Sequence, residues 1–409
     1  MNLLAFLKKP LLTVLLGSFA LFANAQSTTG SIAADAVKLD VDHLDSFQDG
    51  FAVIRKGTSV ALINDQGAIV VPFNKYHSIS PMTNGYAVVI LNSQVGTAGL
   101  IDKHGKEVLP CTFYSVSPVD KNGYAIAQES FSGGGKIVHL QTGKTYIHKN
   151  SLSSKVPHEE KLRPWDNFVF NHGLAAERDA KTNQYGYVNW AGDFVIAPQF
   201  KDAQPFFQGM AAVSKQDEFG QTKYGFIDTT GSFIIGPQFS RKPGNFYKNR
   251  SYVIPKDPGE FRAAYIDRTG AIIIKLKEYS TDDDFVEDWV MARNNSKGTI
   301  ALIDTAGNIF PLPRTGDFHG VEYGYTIDPK IMNGQIMIRR KAATVSNNQG
   351  LMGTDGKILA PPVFFELHYF DPVSNLARAR FNSPEGTLID GYIDRSGVFT
   401  IINVQASNW

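Results

Sequence analysis

The segment YGYVNWAGDFVIAPQF at 185–200 returns thirty-nine residues later as YGFIDTTGSFIIGPQF at 224–239, with eight of the sixteen aligned positions identical. A chain that repeats itself at a period of roughly 20 to 50 residues builds its fold from copies of one small unit. Such a unit cannot bury its own apolar face, so the copies must bury one another. The anchor of the pair is Asn or Asp followed three residues later by Gly. It recurs at Asn64/Gly67, Asp102/Gly105, Asn189/Gly192, Asp228/Gly231, Asp267/Gly270, Asp304/Gly307 and Asp394/Gly397, and worn copies at Gly143 and Gly356 bring the count to nine.

Turn chemistry explains the anchor. The Asp or Asn side chain caps a type I turn, and Gly takes the positive-φ position that follows as the chain re-enters a strand. Apolar β-formers flank each turn, so each anchor predicts a hairpin. Upstream lies a second landmark, clearest in Phe206-Phe207-Gln208-Gly209-Met210-Ala211-Ala212-Val213. Its turn residue is Gly at 50, 85, 123, 173, 209 and 334, Asn at 249 and 375, and Asp at 288. These residue types tolerate a left-handed backbone. A Pro-x-Phe pair (Pro198/Phe200, Pro237/Phe239) reads as the connector to the next unit. Tyr187 faces one way and Val188 the other, so the strands need apolar neighbours on both sides.

The expected fold is all-β, a tandem array of about nine three- to four-stranded units over 45–402, after a lead-in at 26–44 and before a tail at 403–409. Nine units exceed the usual 4 to 8 blades of a propeller. The chain also starts and ends on whole units. An open solenoid or a loosely closed, propeller-like array is therefore expected.

At the level of Tyr-Gly-Tyr-Val-Asn-x-x-Gly-x-Phe-Val-Ile-x-Pro-x-Phe, joined to the upstream Phe-x-x-Gly-x-Ala-x-Val, the sequence resembles the WG-repeat proteins of bacteria across 45–402. The Trp that names that family is Tyr185 and Tyr224 in the best copies and Val60, Ala98, Ala263 or Ile300 elsewhere. Its Gly survives as Gly99, Gly186, Gly225, Gly350 and Gly391. The resemblance implies a β-rich interaction array, often exported, with no shared catalytic residues.

Lys8 and Lys9, an apolar run from Leu11 to Phe22 and then Ala23-Asn24-Ala25 predict a signal peptide over 1–25, cleaved near Ala25, and hence export to the periplasm or beyond. The run is too short to span a bilayer, and no later segment is long enough, so no membrane span is expected in the mature chain. Cleavage removes two lysines and no acids, taking the formal charge from +1 to −1. A near-neutral, mixed-sign surface argues against a nucleic-acid partner. Cys111 is the single cysteine and cannot form an internal disulfide.

Two connectors are longer than the rest, giving insertions at 144–172 and 308–333 on what should be one edge of the array, where repeat proteins place binding loops. The first holds Trp165 among His148, His158, Glu159, Glu160 and Asp166. The second holds Asp317, His319, Glu322, Tyr323 and Tyr325. Asp, His and Glu this close could bind a metal or move a proton. In one extended strand, however, Asp317 and His319 share a face and Glu322 points away. For the first insertion, a solvated loop pinned to the stack by Trp165 is favoured over a ligand site. Trp190, at a hairpin tip, either offers a ring to a sugar or partner or packs on the neighbouring turn. The acidic run at 282–288 lacks the spacing of a calcium loop, and the glycines at 133–135 follow no strand-to-helix junction.

The expectation from these residues is an exported, non-enzymatic scaffold that binds a protein partner in the bacterial envelope, without cofactor, metal or catalytic residues. A polysaccharide-binding module using Trp165, Trp190, Tyr323 and Tyr325 is the alternative. An enzyme on a glycan or peptide, using Asp317, His319 and Glu322, is the third.

Overall fold

A computed structural model describes residues 29–93, 97–130, 135–147, 170–255, 261, 263–281, 283–318, 321–341 and 348–404. Every regular element among them is a strand. The strands form nine small sheets, antiparallel within each blade, the blades of a β-propeller. In chain order the blades cover 43–71, 78–113, 115–147, 175–200, 202–239, 251–276, 279–311, 315–364 and 366–403.

The predicted turns are present atom for atom. At Asn64, Asp102, Asn189, Asp228, Asp267, Asp304 and Asp394 the side-chain Oδ1 accepts two backbone N–H groups, from the residues two and four positions on. The worn copies keep the turn with substitutes. His139 Nδ1 accepts from Thr142 N, and Asp355 Oδ1 accepts from Lys357 N. The upstream turns are left-handed as expected, for example at Asn84 (φ 51°) with Gly85 (φ 82°). In the seventh blade the left-handed residue is Glu287 (φ 58°), one position before the expected Asp288.

These turns make stability pH-dependent. Hydrogen bonds from Thr230 to Asp228 and from Thr269 to Asp267 outweigh burial and hold both carboxyls below the usual range. A depressed carboxyl stabilises the fold above its unfolded pKa of about 3.9 and loses that contribution as pH falls through the folded value. Asn at either position keeps both backbone bonds, as Asn64 and Asn189 do. A Tm series from pH 5 to 2.5 should therefore fall less steeply for Asp228→Asn/Asp267→Asn than for the parent. Equal slopes would disprove the assignment.

Strand residues alternate between two neighbours. Tyr187 packs in the core between blades 4 and 5, and Val188 in the core between blades 3 and 4. The whole interior is built this way: nine core clusters each draw their residues from two adjacent blades. One of the nine joins blade 9, through Leu376, Tyr392 and Ile401, to Leu44, Phe47, Ala52 and Ile54 of blade 1. An open row of nine blades would have eight such interfaces. The ring is closed, so of the two expected forms the chain takes the propeller-like one and not the open solenoid.

The closure repeats the contacts used elsewhere. Tyr187 Oη donates to Gln204 O and Tyr265 Oη to Asp283 O across ordinary interfaces, and Tyr392 Oη donates to Asp45 O across the seam. The lead-in also belongs to the ring. Ile32–Leu39 adds to blade 9 as a fifth strand, parallel to Phe399–Asn403, with Val37 opposite Ile401 and Leu39 opposite Asn403.

The Gly of the repeat has a structural cause that the turn logic does not supply. Tyr185 pairs with Phe200 and Tyr187 with Ile196, so two steps on one strand face four on the other. The extra residues form a bulge around Pro198, which is thus inside the outer strand Phe194–Phe200 and not in a connector. A Cβ on Gly186 would lie 2.4 Å from Ile196 O and 2.8 Å from Pro198 N. The same crowding occurs at Gly99, Gly225 and Gly350, opposite bulges that contain Pro110, Pro237 and Pro361. Blade 6 has Ala264 here, paired in regular register with Lys275, and its one register shift lies further on, between Tyr265 and Ile266.

Candidate functional site

The second insertion becomes a hairpin on blade 8, Thr315–Phe318 paired with the start of Val321–Met332. Asp317 stands directly opposite Glu322 in this pairing. Cross-strand partners share a face, so the expectation that Glu322 points away is corrected. His319 lies outside the described residues. Tyr323 is partly buried against the core between blades 7 and 8, and Tyr325 is fully buried there with its hydroxyl donating to Thr315 O. Burial raises the pKa of both phenols. Among the described residues no group of three His, Cys, Asp or Glu could hold a metal ion.

Trp165 lies outside the described residues, with most of the first insertion. Trp190 is stacked between Tyr124, at 3.6 Å and 19°, and Phe170, at 3.7 Å and 20°. Both ring faces are covered, so the tip residue packs into the interface between blades 3 and 4 and does not present a platform. Asp284 of the acidic run turns inward, where its Oδ2 accepts from Asn245 N. Burial pushes the Cys111 thiol up to about 11, which keeps it protonated and unreactive near neutral pH.

A cavity of about 690 Å³ gathers residues that sequence spacing could not connect. Its wall comes from turns and adjoining strand residues of blades 8, 9, 1 and 2. Blades 8 and 2 are not neighbours, so a cavity touching both lies at the hollow of the ring. Three groups on its wall form a hydrogen-bonded chain across the seam. Ser46 Oγ lies 2.5 Å from His368 Nδ1, and His368 Nε2 lies 2.9 Å from Glu366 Oε1. Behind them Arg378, buried, donates to Glu366 Oε1 at 2.6 Å and to the buried Asp390 Oδ1 at 3.2 Å. Burial alone would raise the Glu366 carboxyl. The His368 hydrogen bond and the Arg378 charge outweigh it and hold the group below the usual range. An ionised carboxylate only accepts, so His368 Nε2 carries the proton and Nδ1 offers its lone pair to the Ser46 hydroxyl. Glu366 and His368 are two apart in sequence, but 322 residues separate Ser46 from His368. Only ring closure brings them together.

The outer edges form the second feature. Among outer strands of five residues or more, those of blades 2, 4, 5 and 8 contain Pro110, Pro198, Pro237 and Pro361, and those of blades 6 and 9 contain none. Proline guards an open edge because it cannot donate to a further strand. The blade 9 edge is covered by Ile32–Leu39. The blade 6 edge, Ile272–Leu276, carries Ile272 at 42% and Ile273 at 39% exposure.

Comparison with known proteins fits the repeat. A family model described as a WG containing repeat matches residues 62–93, 99–130, 185–218 and 224–253. The chain carries WG repeats. Each WG match begins in the strand next to the outermost of one blade and ends within or just beyond the strand third from the outside of the next. The sequence repeat therefore spans a blade interface, which is the unit that buries a core. No curated protein matches the chain. Among solved structures, KlHsv2 with loop 6CD replaced by a Gly-Ser linker is 9% identical with a TM-score of 0.29, covering 72% of this chain and 93% of that one. The uncharacterized protein lmo1340 from Listeria monocytogenes EGD-e is 11% identical with a TM-score of 0.33, covering 68% and 96%. Apo AztD from Citrobacter koseri is 12% identical with a TM-score of 0.27, covering 86% and 91%. No helix among the described residues is long and apolar enough to cross a membrane.

Proposed function

We propose that this WG-repeat propeller is an exported protein-interaction scaffold of the bacterial envelope that receives an extended strand of a protein partner on the outer edge of blade 6. The observation that carries the reading is the unguarded edge Ile272–Leu276 beside its covered counterpart in blade 9, where the chain's own Ile32–Leu39 supplies the added strand. Strand addition takes its affinity from main-chain hydrogen bonds and its specificity from alternate side chains. The exposed Ile272 and Ile273 suit a partner segment of similar apolar pattern. Export rests on Lys8, Lys9 and the apolar run that follows. The covered faces of Trp190 weigh against the polysaccharide alternative.

A synthetic peptide of residues 30–41 serves as a surrogate strand. Its addition should slow amide exchange at Ile272–Leu276 by about tenfold or more, as expected for newly bonded edge amides. Ile273→Pro, which removes a donor, should abolish the protection. Unchanged exchange in the parent protein would overturn the proposal.

A further inference from the structure

We infer that Ser46 is an acyl-accepting nucleophile, activated by His368, in a second functional site at the hollow of the ring. The geometry meets the tests for such a site: a nucleophile bonded to a base, a base bonded to an orienting group, and a concave wall. Ser46, His368 and Glu366 all line the cavity, beside the apolar side chains of Phe47, Met82 and Met337. Glu366 is itself fixed by Arg378, and Arg378 is shared with Asp390, so two carboxylates face that one guanidinium. Arg380 approaches Glu366 Oε2 only at 3.7 Å.

The chemistry balances without any further group. Ser46 Oγ forms a bond to the carbonyl carbon of an ester while its proton passes to His368 Nδ1. The carbonyl electron pair moves to oxygen and returns as the bond to the leaving alcohol breaks, and Nδ1 gives its proton to that alcohol. Water, deprotonated at Nδ1, then bonds through its oxygen to the acyl carbon, the bond to Ser46 Oγ breaks as Nδ1 returns the proton to Oγ, and the acyl group leaves as a carboxylic acid. Ser46 and His368 are the catalytic residues of this step and Glu366 is a positioning residue. Asp49, Glu366 and Asp371 line the cavity and no Lys or Arg does. The substrate class is accordingly a neutral or cationic ester with an apolar acyl group, and anionic esters are excluded by charge.

The test uses the full chain and a neutral fluorophosphonate, which forms an Oγ–P bond and expels fluoride, with p-nitrophenyl butyrate as the turnover probe. Peptide mapping should place one adduct on Ser46. Labelling should vanish in Ser46→Ala and slow by about 100-fold or more in His368→Gln, the scale of general-base catalysis. Glu366→Gln should lower kcat while KM holds, with recovery in Glu366→Asp. Each variant is compared at matched far-UV circular dichroism. An unlabelled Ser46 in the folded parent, an adduct only on other residues, or parental labelling in folded His368→Gln would each reduce the chain of bonds to a structural clasp and overturn the inference.

Discussion

Gly225→Ala should destabilise the ring by roughly 1–3 kcal/mol, the cost of forcing a methyl into a packed site whose walls cannot yield. A Cβ there would stand 2.5 Å from Ile235 O and 2.8 Å from Pro237 N. Those are backbone atoms of the facing bulge, so relief requires the outer strand to move and its pairing with Thr222–Asp228 to loosen. Gly236→Ala, in the same blade, is the control. It has nothing within 4 Å of the added atom and no left-handed backbone to strain, so its effect should stay within about 0.5 kcal/mol. Denaturant melts of the two variants, with exchange read at 222–239, decide the matter. Similar losses in both would mean that the glycine is not there for close approach.

The same position shows how far the sequence could be read. The Asx turns were legible because all their atoms lie within five residues, and a short polar side chain followed by Gly leaves few alternatives. The two-sided burial of Tyr187 and Val188 was legible for the same local reason. The purpose of Gly225 was not, because its cause is a bulge on another strand. Pro237 was visible but read as a connector. Closure was hidden too: Ile32–Leu39 carries no turn anchor, and its partner strand lies at the other end of the chain. Glu322 was misplaced because 315–324 was treated as one strand, whereas Asp317 and Glu322 face each other across a hairpin. The Ser46–His368 pair depends on closure, and no local pattern announces it.

Arg378→Ala should cost more, about 3–5 kcal/mol at neutral pH, because removing one member of a buried ion group leaves an uncompensated charge. The guanidinium sits between Glu366 and Asp390, and both Arg378 and Asp390 are buried in blade 9. Without it the seam holds buried negative charge with no counter-ion, a cost that acidification relieves. The parent moves the other way: Glu366, held below the usual range, loses its contribution on acidification. The gap between variant and parent should therefore be widest near neutrality and narrow in acid, and Arg378→Met/Asp390→Leu should recover most of the loss. A gap independent of pH, or no recovery in the double variant, would show that the loss is one of packing and not of charge. Arg378 also fixes the carboxylate that orients His368. The single substitution should consequently slow fluorophosphonate labelling of Ser46 under conditions where the variant is still folded, whereas Gly225→Ala, in blade 5, should leave labelling unchanged. That contrast separates damage to the seam from general loss of stability.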